Sequence, residues 1–261
     1  GNMAWTVLAL LGYYENYGGQ KYLDAAIWAA EWIETHCRDN RGTGGYIGGY
    51  QGWQNPGEGV TQSLLTYKAT EHNVDLIPCF LRLHSITGDS KWQERAIAAR
   101  DFVLSMWNSQ AGHFWTGTTP DGVTINTDVI PLDPHSWYLL AEVKNENPHV
   151  DQIFTYVGQN LMTYGGFDFN SDVDGIWYEG TSQMALAYRY FNKTGKANET
   201  LQLLRQGKNQ ETDALPASED EKITTGFKLK DGSNWYYFRV PHIGATGWYV
   251  LAERNFNPFW D

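Results

Sequence analysis

Apolar residues recur at three- and four-residue steps along much of the chain, the spacing that places them on one face of an α-helix. Two such stretches lie about 70 residues apart and match position by position. The first contains Gly19, Tyr22, Ala26, Ala29, Trp32 and Ile33, and the second contains Gly88, Trp92, Ala96, Ala99, Phe102 and Val103. Because alanines on the apolar face allow close packing, the pattern predicts a repeated unit of paired helices.

The same helix, turn, helix unit recurs along the whole sequence. Glycines close a first helix near residues 4–17 and another near residues 75–86. Later apolar stretches predict helices near residues 134–143, 150–164, 180–191, 197–206 and 241–254. About nine alternating helices predict an all-α fold, an (α/α) toroid of helical hairpins in one domain over residues 1–261. Nine helices make four and a half hairpins, so closure of a ring of six predicts about three further helices upstream.

Four segments rich in glycine and aromatic residues separate the helical units, at residues 42–56, 112–131, 165–178 and 229–240. They contain Asp121-Gly122, Asp174-Gly175 and Asp231-Gly232, pairs typical of hairpin turns. In a ring of helical hairpins every inner helix begins at the same rim. The segments therefore predict short β-hairpins on that rim.

The composition narrows the possible partners. A net charge of -11 disfavours nucleic acids and anionic membranes, which attract basic proteins. No apolar run is long enough to span a membrane, and the pattern from Gly1 onwards does not predict a signal peptide. The two cysteines, Cys37 and Cys79, provide neither a disulfide framework nor a zinc site. We expect a soluble monomer or weak oligomer, with a secreted or periplasmic location favoured.

Acidic residues lie where the predicted inner helices begin, and four of them are candidate catalytic groups: Glu71, Asp128, Asp133 and Glu179. Glycoside hydrolysis needs one carboxylic acid to protonate the leaving oxygen and a second carboxylate to activate water or attack carbon. Glu71 and Glu179 form the leading pair, while Asp128 and Asp133 are alternative bases. Helix capping is the competing interpretation, above all for Asp133.

Histidine and aromatic side chains supply the candidates for substrate contact. Capping explains the histidines poorly, because protonated histidine favours the opposite end of a helix. Sugar rings present apolar C–H faces that stack on indole and phenol rings. The candidates are Tyr50, Trp53, Trp115, Trp137, Trp177, His72, His135 and His242, and Trp235 also lies in a rim segment. Packing at the top of the toroid is the competing interpretation for the aromatic residues.

Asn170, Asp172 and Asp174 alternate in an acidic loop that resembles a calcium-binding loop. The position of the expected acidic ligand at the end of such a loop falls on Thr181, so a solvated hairpin tip is favoured. The histidines show no short spacing typical of a zinc site. We expect no metal and no cofactor.

These features resemble the six-hairpin glycosidase superfamily, the (α/α)6 barrels that include glucoamylase-like and endoglucanase-like inverting enzymes. The resemblance rests on Thr70-Glu71-His72-Asn73, Gly112-His113-Phe114-Trp115, Trp177-Tyr178-Glu179-Gly180-Thr181 and Pro241-His242 with Asn257-Pro258-Phe259. It covers nearly the whole chain as architecture and points to no single family. It implies an acidic pair at the rim, which Glu71 and Glu179 match in kind.

The expected function is a glycoside hydrolase that acts on a neutral oligo- or polysaccharide with inversion. A polysaccharide lyase or sugar epimerase using rim histidines and tyrosines is an alternative, although the rim segments contain few cations to bind an acidic sugar. A non-catalytic carbohydrate-binding toroid is another. A terpene cyclase is a third, but the chain lacks an Asp-x-Asp-Asp motif.

Overall fold

A computed structural model describes residues 1–52, 62–142, 148–229 and 231–261. Nine α-helices lie within this part of the chain. They are α1 (Asn2–Tyr17), α2 (Gln20–Cys37), α3 (Thr70–Thr87), α4 (Ser90–Ser105), α5 (Asp133–Ala141), α6 (Val150–Asn160), α7 (Tyr178–Tyr190), α8 (Thr194–Gly207) and α9 (Ile243–Arg254). The predicted all-α class and the alternation of helical hairpins are confirmed.

Burial alternates along the helices in the manner of a fold with inner and outer layers. Ten of the thirteen residues of α7 are buried, as are eight of the nine in α5 and eleven of the eighteen in α3. The intervening α4 and α8 bury only one apolar stripe each, and both follow a partner helix against which they pack. The odd-numbered helices α3, α5 and α7 are therefore the more buried ones, as expected of the inner helices of helical hairpins.

Two compact units make up the chain. Unit 1 consists of Gly1–Trp107, Trp115–Asn126 and Pro258–Trp260. Here α1 packs on α2 and α3, and α3 packs on α4. Unit 2 consists of Asn108–Phe114, Thr127–Asn257 and Asp261, with α7 packed on α5, α8 and α9. A single domain over residues 1–261 stays a prediction.

Short strands occupy the segments between helical hairpins. They are β1 (Gly49–Gln51), β2 (Ser63–Leu65), β3 (Trp107–Asn108), β4 (His113–Phe114), β5 (Gly117–Thr118), β6 (Ile125–Asn126), β7 (Met162–Thr163), β8 (Gly166–Phe167), β9 (Lys222–Lys228) and β10 (Asn234–Phe238). Antiparallel pairs join β1 to β2, β5 to β6, β7 to β8 and β9 to β10. The predicted short β-hairpins are confirmed.

Two of the three predicted hairpin turns are present. Asp121-Gly122 lies between β5 and β6 and Asp231-Gly232 between β9 and β10, with φ angles of 73° and 84° at the glycines. The prediction for Asp174-Gly175 was wrong. Tyr164-Gly165 forms the β7–β8 turn, and the backbone N–H of Asp174 instead donates to the Asp168 carboxylate at 2.7 Å.

The first turn of α3 begins earlier than predicted, at Thr70 rather than near Asp75. An antiparallel bridge between Ala69 and Gly117 positions the chain just before the helix. Pro78 therefore lies inside the helix, where it removes one backbone hydrogen bond, and its ring is buried.

Two further properties concern the chain as a whole. Among the described residues, no helix combines the length and apolar character that crossing a membrane requires. Cys37 and Cys79 are both buried and are not joined by a disulfide.

Candidate functional site

The first turn of α3, which carries Glu71, is tied to the β5 segment by backbone and side-chain hydrogen bonds. The Thr70 N–H donates to the Thr116 carbonyl at 2.9 Å, and the Thr70 hydroxyl donates to the Trp115 carbonyl at 2.7 Å. Gly117 makes the approach possible, because a Cβ there would lie 1.9 Å from the Lys68 carbonyl oxygen. The start of α3 is therefore held rigidly.

Asn73 and Lys68 fix the neighbouring loop against α3. The Asn73 side chain accepts a hydrogen bond from the Tyr46 N–H and donates one to the Tyr46 carbonyl, at 2.9 and 3.0 Å. The buried Lys68 ammonium donates to the carbonyls of Arg41 and Gly44. Asn73 and Lys68 are therefore buried because their side chains form hydrogen bonds to the backbone of this loop.

Glu71 and His72 form a close acid and imidazole pair. Glu71 Oε1 lies 3.5 Å from His72 Nε2, and each side chain is 26% exposed. Burial raises the pKa of Glu71 to about 7. Burial also lowers the pKa of His72 to about 3. Near neutral pH His72 is therefore neutral, and a large share of Glu71 carries its proton.

His72 lines a cavity of about 470 Å³ in unit 1. Aromatic side chains of Trp32, Tyr50 and Tyr67 also line it. Trp32 stacks on His36 with ring centroids 4.6 Å apart, and Tyr50 lies 6.0 Å from Trp32. The predicted residue Tyr50 thus lies in the same cavity as His72. Trp53 lies outside the described residues.

Glu179 begins α7 in unit 2 and lies against the start of α9. Its Oε2 is 3.5 Å from His242 Nδ1, and its side chain is 17% exposed. Gly244 is what allows this approach, because a Cβ at that position would lie 2.3 Å from Glu179 Oε2. The structure brings together these two predicted residues from separate parts of the sequence.

His242 caps α9. Its Nδ1 accepts a hydrogen bond from the Ala245 backbone N–H at 3.2 Å, and the His242 backbone N–H donates to the Leu215 carbonyl. Burial lowers the pKa of His242. The neutral ring therefore carries its proton on Nε2, and Nδ1 remains an acceptor. The sequence analysis did not favour helix capping as the role of the histidines. His242 nevertheless caps α9.

Asp133 belongs to a buried polar network in unit 2. Its Oδ1 accepts a hydrogen bond from Gln183 Nε2 at 3.0 Å, and Gln183 Oε1 accepts one from the Ser136 hydroxyl at 2.6 Å. Asp133 is the first residue of α5 and follows the N-cap residue, Leu132. Asp128, the other alternative base, is exposed in the segment before α5.

Two residues predicted to contact substrate are instead buried by protein. His135 has no exposed surface; its Nε2 accepts from the Phe114 N–H at 3.0 Å and its Nδ1 donates to the Pro131 carbonyl at 3.0 Å. Trp177 is 1% exposed and stacks on Tyr237 with centroids 5.5 Å apart. Both predictions are corrected, because no ligand reaches a side chain that protein already covers.

Two further tryptophans predicted to contact substrate, Trp115 and Trp137, are half-buried. Trp137 lies on α5 and stacks on Trp248, with ring centroids 6.3 Å apart. Trp115 contributes its backbone to the start of α3 through the hydrogen bond from Thr70. A role for either ring in sugar contact stays a prediction.

The acidic loop differs from the one anticipated. Carboxylate oxygens of Asp168, Asp172 and Asp174 lie within 4.8 Å of one another, and burial raises the pKa of Asp168 to about 8. The Asn170 side chain accepts from the Asp172 N–H and donates to the Thr224 carbonyl. Thr224 also bonds to Asp172 and Asp174. The loop is thus joined to β9 by hydrogen bonds.

Sequence reasoning missed Gly244 and Tyr237. Tyr237 lies 5.9 Å from the His242 ring, and strand alternation with Trp235 before Pro241-His242 could have indicated it. No pattern in the sequence could have indicated Gly244, since its importance comes from a contact with Glu179.

No protein-family profile matches the sequence, and no curated protein matches it. Solved structures do. Cellobiose 2-epimerase from Bacillus thermoamylovorans B4167 has a TM-score of 0.67 and 14% identity, over 97% of this chain and 71% of that chain. A family 76 glycoside hydrolase (mannosidase) from Bacteroides thetaiotaomicron VPI-5482 has a TM-score of 0.63 and 13% identity, over 97% and 69%. D-mannose isomerase has a TM-score of 0.61 and 13% identity, over 82% and 60%.

These similar structures belong to the (α/α)6-barrel superfamily. The likeness shows that this chain has the same fold, as the resemblance in the sequence implied. At identities this low it assigns no specific family.

Proposed function

We propose that this (α/α)6-barrel chain is a glycoside hydrolase acting on a neutral oligo- or polysaccharide, with Glu71 as general acid. The observation that carries the proposal is the pKa of Glu71, which burial raises to about 7. A general acid works best when its pKa lies near the working pH, because it must hold a proton and still release it. Glu71 is also 26% exposed, so its carboxyl group is accessible.

Glu179 is the proposed general base. Glycoside hydrolysis requires a second carboxylate. Glu179 retains exposed surface next to the neutral imidazole of His242. Asp133 is less suited because its Oδ1 is engaged by Gln183 inside a buried network. Inversion is the proposed stereochemical outcome.

A carbohydrate substrate is supported by the similar structures, among which are a mannosidase, a cellobiose epimerase and a mannose isomerase. The aromatic wall of the unit 1 cavity, with Trp32 and Tyr50 beside His72, suits the apolar face of a sugar ring. A net charge of -11 favours a neutral glycan over an acidic one.

A sugar epimerase is the second candidate, and His242 is the observation that favours it. Its ring is neutral, lies beside a carboxylate and carries its proton on Nε2. The Nε2 proton can pass to a sugar carbonyl oxygen while the Glu179 carboxylate takes the proton from the adjacent carbon. The similar cellobiose 2-epimerase and mannose isomerase support the same class of reaction.

The test is incubation of the chain with neutral manno-, cello- and malto-oligosaccharides and with an oligouronide. New reducing ends and an inverted anomer in the first proton NMR spectra are the expected result. Epimerised sugar without new reducing ends would replace the hydrolase by the epimerase. An absorbance from unsaturated product with the oligouronide would contradict both and indicate a lyase.

A further inference from the structure

The β9–β10 hairpin of unit 2 carries a run of aromatic residues on its second strand, Trp235-Tyr236-Tyr237-Phe238. Successive side chains of a strand point to opposite faces. Trp235 and Tyr237 therefore share one face, with ring centroids 6.5 Å apart. Tyr236 and Phe238 share the other, with centroids 6.1 Å apart.

The Trp235 and Tyr237 face is the one that packs on unit 2. Tyr237 pairs across the hairpin with Ile223, which has no exposed surface. Its ring lies 5.5 Å from Trp177 and 5.6 Å from Phe169, both buried. The buried rings of Trp177 and Phe169 therefore fix the position of the Tyr237 ring.

Tyr237 leads directly to the acid and imidazole pair of unit 2. Its ring meets the His242 ring edge to face at 5.9 Å, and His242 lies 3.5 Å from Glu179. Trp235 extends this row of rings beyond Tyr237, with ring centroids 6.5 Å apart. It is 48% exposed although it lies on the packed face of the strand. A row of neighbouring side chains thus leads from the half-exposed indole of Trp235 through Tyr237 and His242 to Glu179, the proposed base.

We propose that Trp235 and Tyr237 form a stacking platform for sugar rings that lead away from Glu179, so that the enzyme prefers an oligosaccharide chain over a monosaccharide. The inference rests on the proposed function and adds the residues that bind the sugar chain and the resulting preference for longer substrates. Indole and phenol rings stack on the C–H faces of sugars regardless of linkage. A half-exposed indole backed by a fixed aromatic row provides such a surface at little cost in side-chain entropy.

The strand provides its own control. Phe238 is 50% exposed, close to the value for Trp235, and lies on the opposite face three residues along β10. Trp235→Ala and Phe238→Ala remove comparable exposed aromatic surface from one strand. Only the first change affects the row that reaches His242. Trp235→Phe keeps an aromatic ring and serves as the conservative variant.

Binding is measured by titration calorimetry in a Glu71→Gln background, to slow turnover, with mannose, glucose and their oligosaccharides of increasing length. Affinity should rise with length, and Trp235→Ala should weaken binding of the longer oligosaccharides about tenfold. Trp235→Phe should recover most of that loss, and Phe238→Ala should change little. Thermal unfolding of each variant shows that the fold is retained.

Equal affinities for Trp235→Ala and Phe238→Ala would overturn the platform, as would monosaccharides binding as tightly as oligosaccharides. Turnover by the unmodified protein separates this failure from failure of the proposed function. If the unmodified protein cleaves oligosaccharides and Trp235→Ala binds them normally, only the platform is wrong. If no sugar binds and none is converted, both are wrong.

Discussion

Glu71 in unit 1 and Glu179 in unit 2 each lie 3.5 Å from a histidine, but the chain builds the two pairs differently. Glu71 and His72 are consecutive residues in the first turn of one helix. Glu179 and His242 come from the starts of two helices, α7 and α9, which pack on each other. The first pair is a local feature of the sequence, and the second exists only in the folded chain.

The difference appears in what sets the properties of each pair. Burial raises the pKa of Glu71 and lowers that of His72, so the proton of the first pair resides on the carboxyl group. In the second pair the Ala245 N–H occupies His242 Nδ1, and Gly244 leaves the space that Glu179 fills. Burial controls the first pair, while backbone packing controls the second.

Replacing the acid of the first pair should have the largest effect. Glu71→Gln keeps the shape of the side chain and removes the transferable proton, so kcat should fall about 100- to 10,000-fold. Steady-state kinetics on the oligosaccharide that the unmodified protein cleaves measures this loss. Glu94→Gln, at an exposed position of α4, is the control. Full activity in Glu71→Gln would remove Glu71 from the mechanism.

The second pair should respond to a small anion. Glu179→Ala should lower kcat by a similar 100-fold or more, because no carboxylate activates water. Added azide can take the place of that water, and its attack on the anomeric carbon should yield a glycosyl azide detectable by mass spectrometry. Applied to Glu71→Gln, the same treatment should form no such product. Identical responses in both variants would contradict the different roles assigned here.

A single added methyl group should disturb only the second pair. Gly244→Ala would place a Cβ 2.3 Å from Glu179 Oε2, so the carboxylate must move and kcat should fall about tenfold to a hundredfold. Gly247→Ala is the matched control on the same helix, where a Cβ meets nothing within 4 Å. A loss of activity in the control as large as in Gly244→Ala would show that the helix, not Glu179, is sensitive.

His135 sharpens the comparison, because it is a third predicted histidine and both its ring nitrogens bond to backbone. His135→Leu should lower the free energy of unfolding by about 1–3 kcal/mol, since two buried backbone groups lose their partner. Denaturant unfolding measures that loss. A raised KM with unchanged stability would restore the role in substrate contact that its burial argues against.

The sequence predicted the helices well because helix formation depends on local spacing of apolar residues, as in Ala26, Ala29 and Ile33 of α2. It misplaced the start of α3 because the Ala69 and Gly117 bridge joins segments distant in sequence. Turn prediction failed at Asp174-Gly175 for the same reason, since the Asp168 carboxylate captures the Asp174 N–H.

The candidate site likewise combines features that local sequence predicts with features that depend on contacts between distant segments. Glu71, Glu179 and His242 could be proposed from their positions at helix starts. The pKa of Glu71 could not, because burial by other elements produces it. Trp177 was predicted to contact sugar because it lies in a segment rich in aromatic residues, but Phe169 and Tyr237 pack against its ring. Side-chain chemistry was readable from the sequence, while accessibility depended on tertiary packing.

The pKa of Glu71 tests the central claim most directly. Carboxyl carbon-13 NMR of the full chain labelled on glutamate, titrated with pH, measures it, and the resonance lost in Glu71→Gln supplies the assignment. We expect Glu71 to titrate near pH 7, because burial raises its pKa. A Glu71 midpoint near 4.5, the ordinary value, would contradict the assignment of Glu71 as a general acid that is protonated near neutral pH.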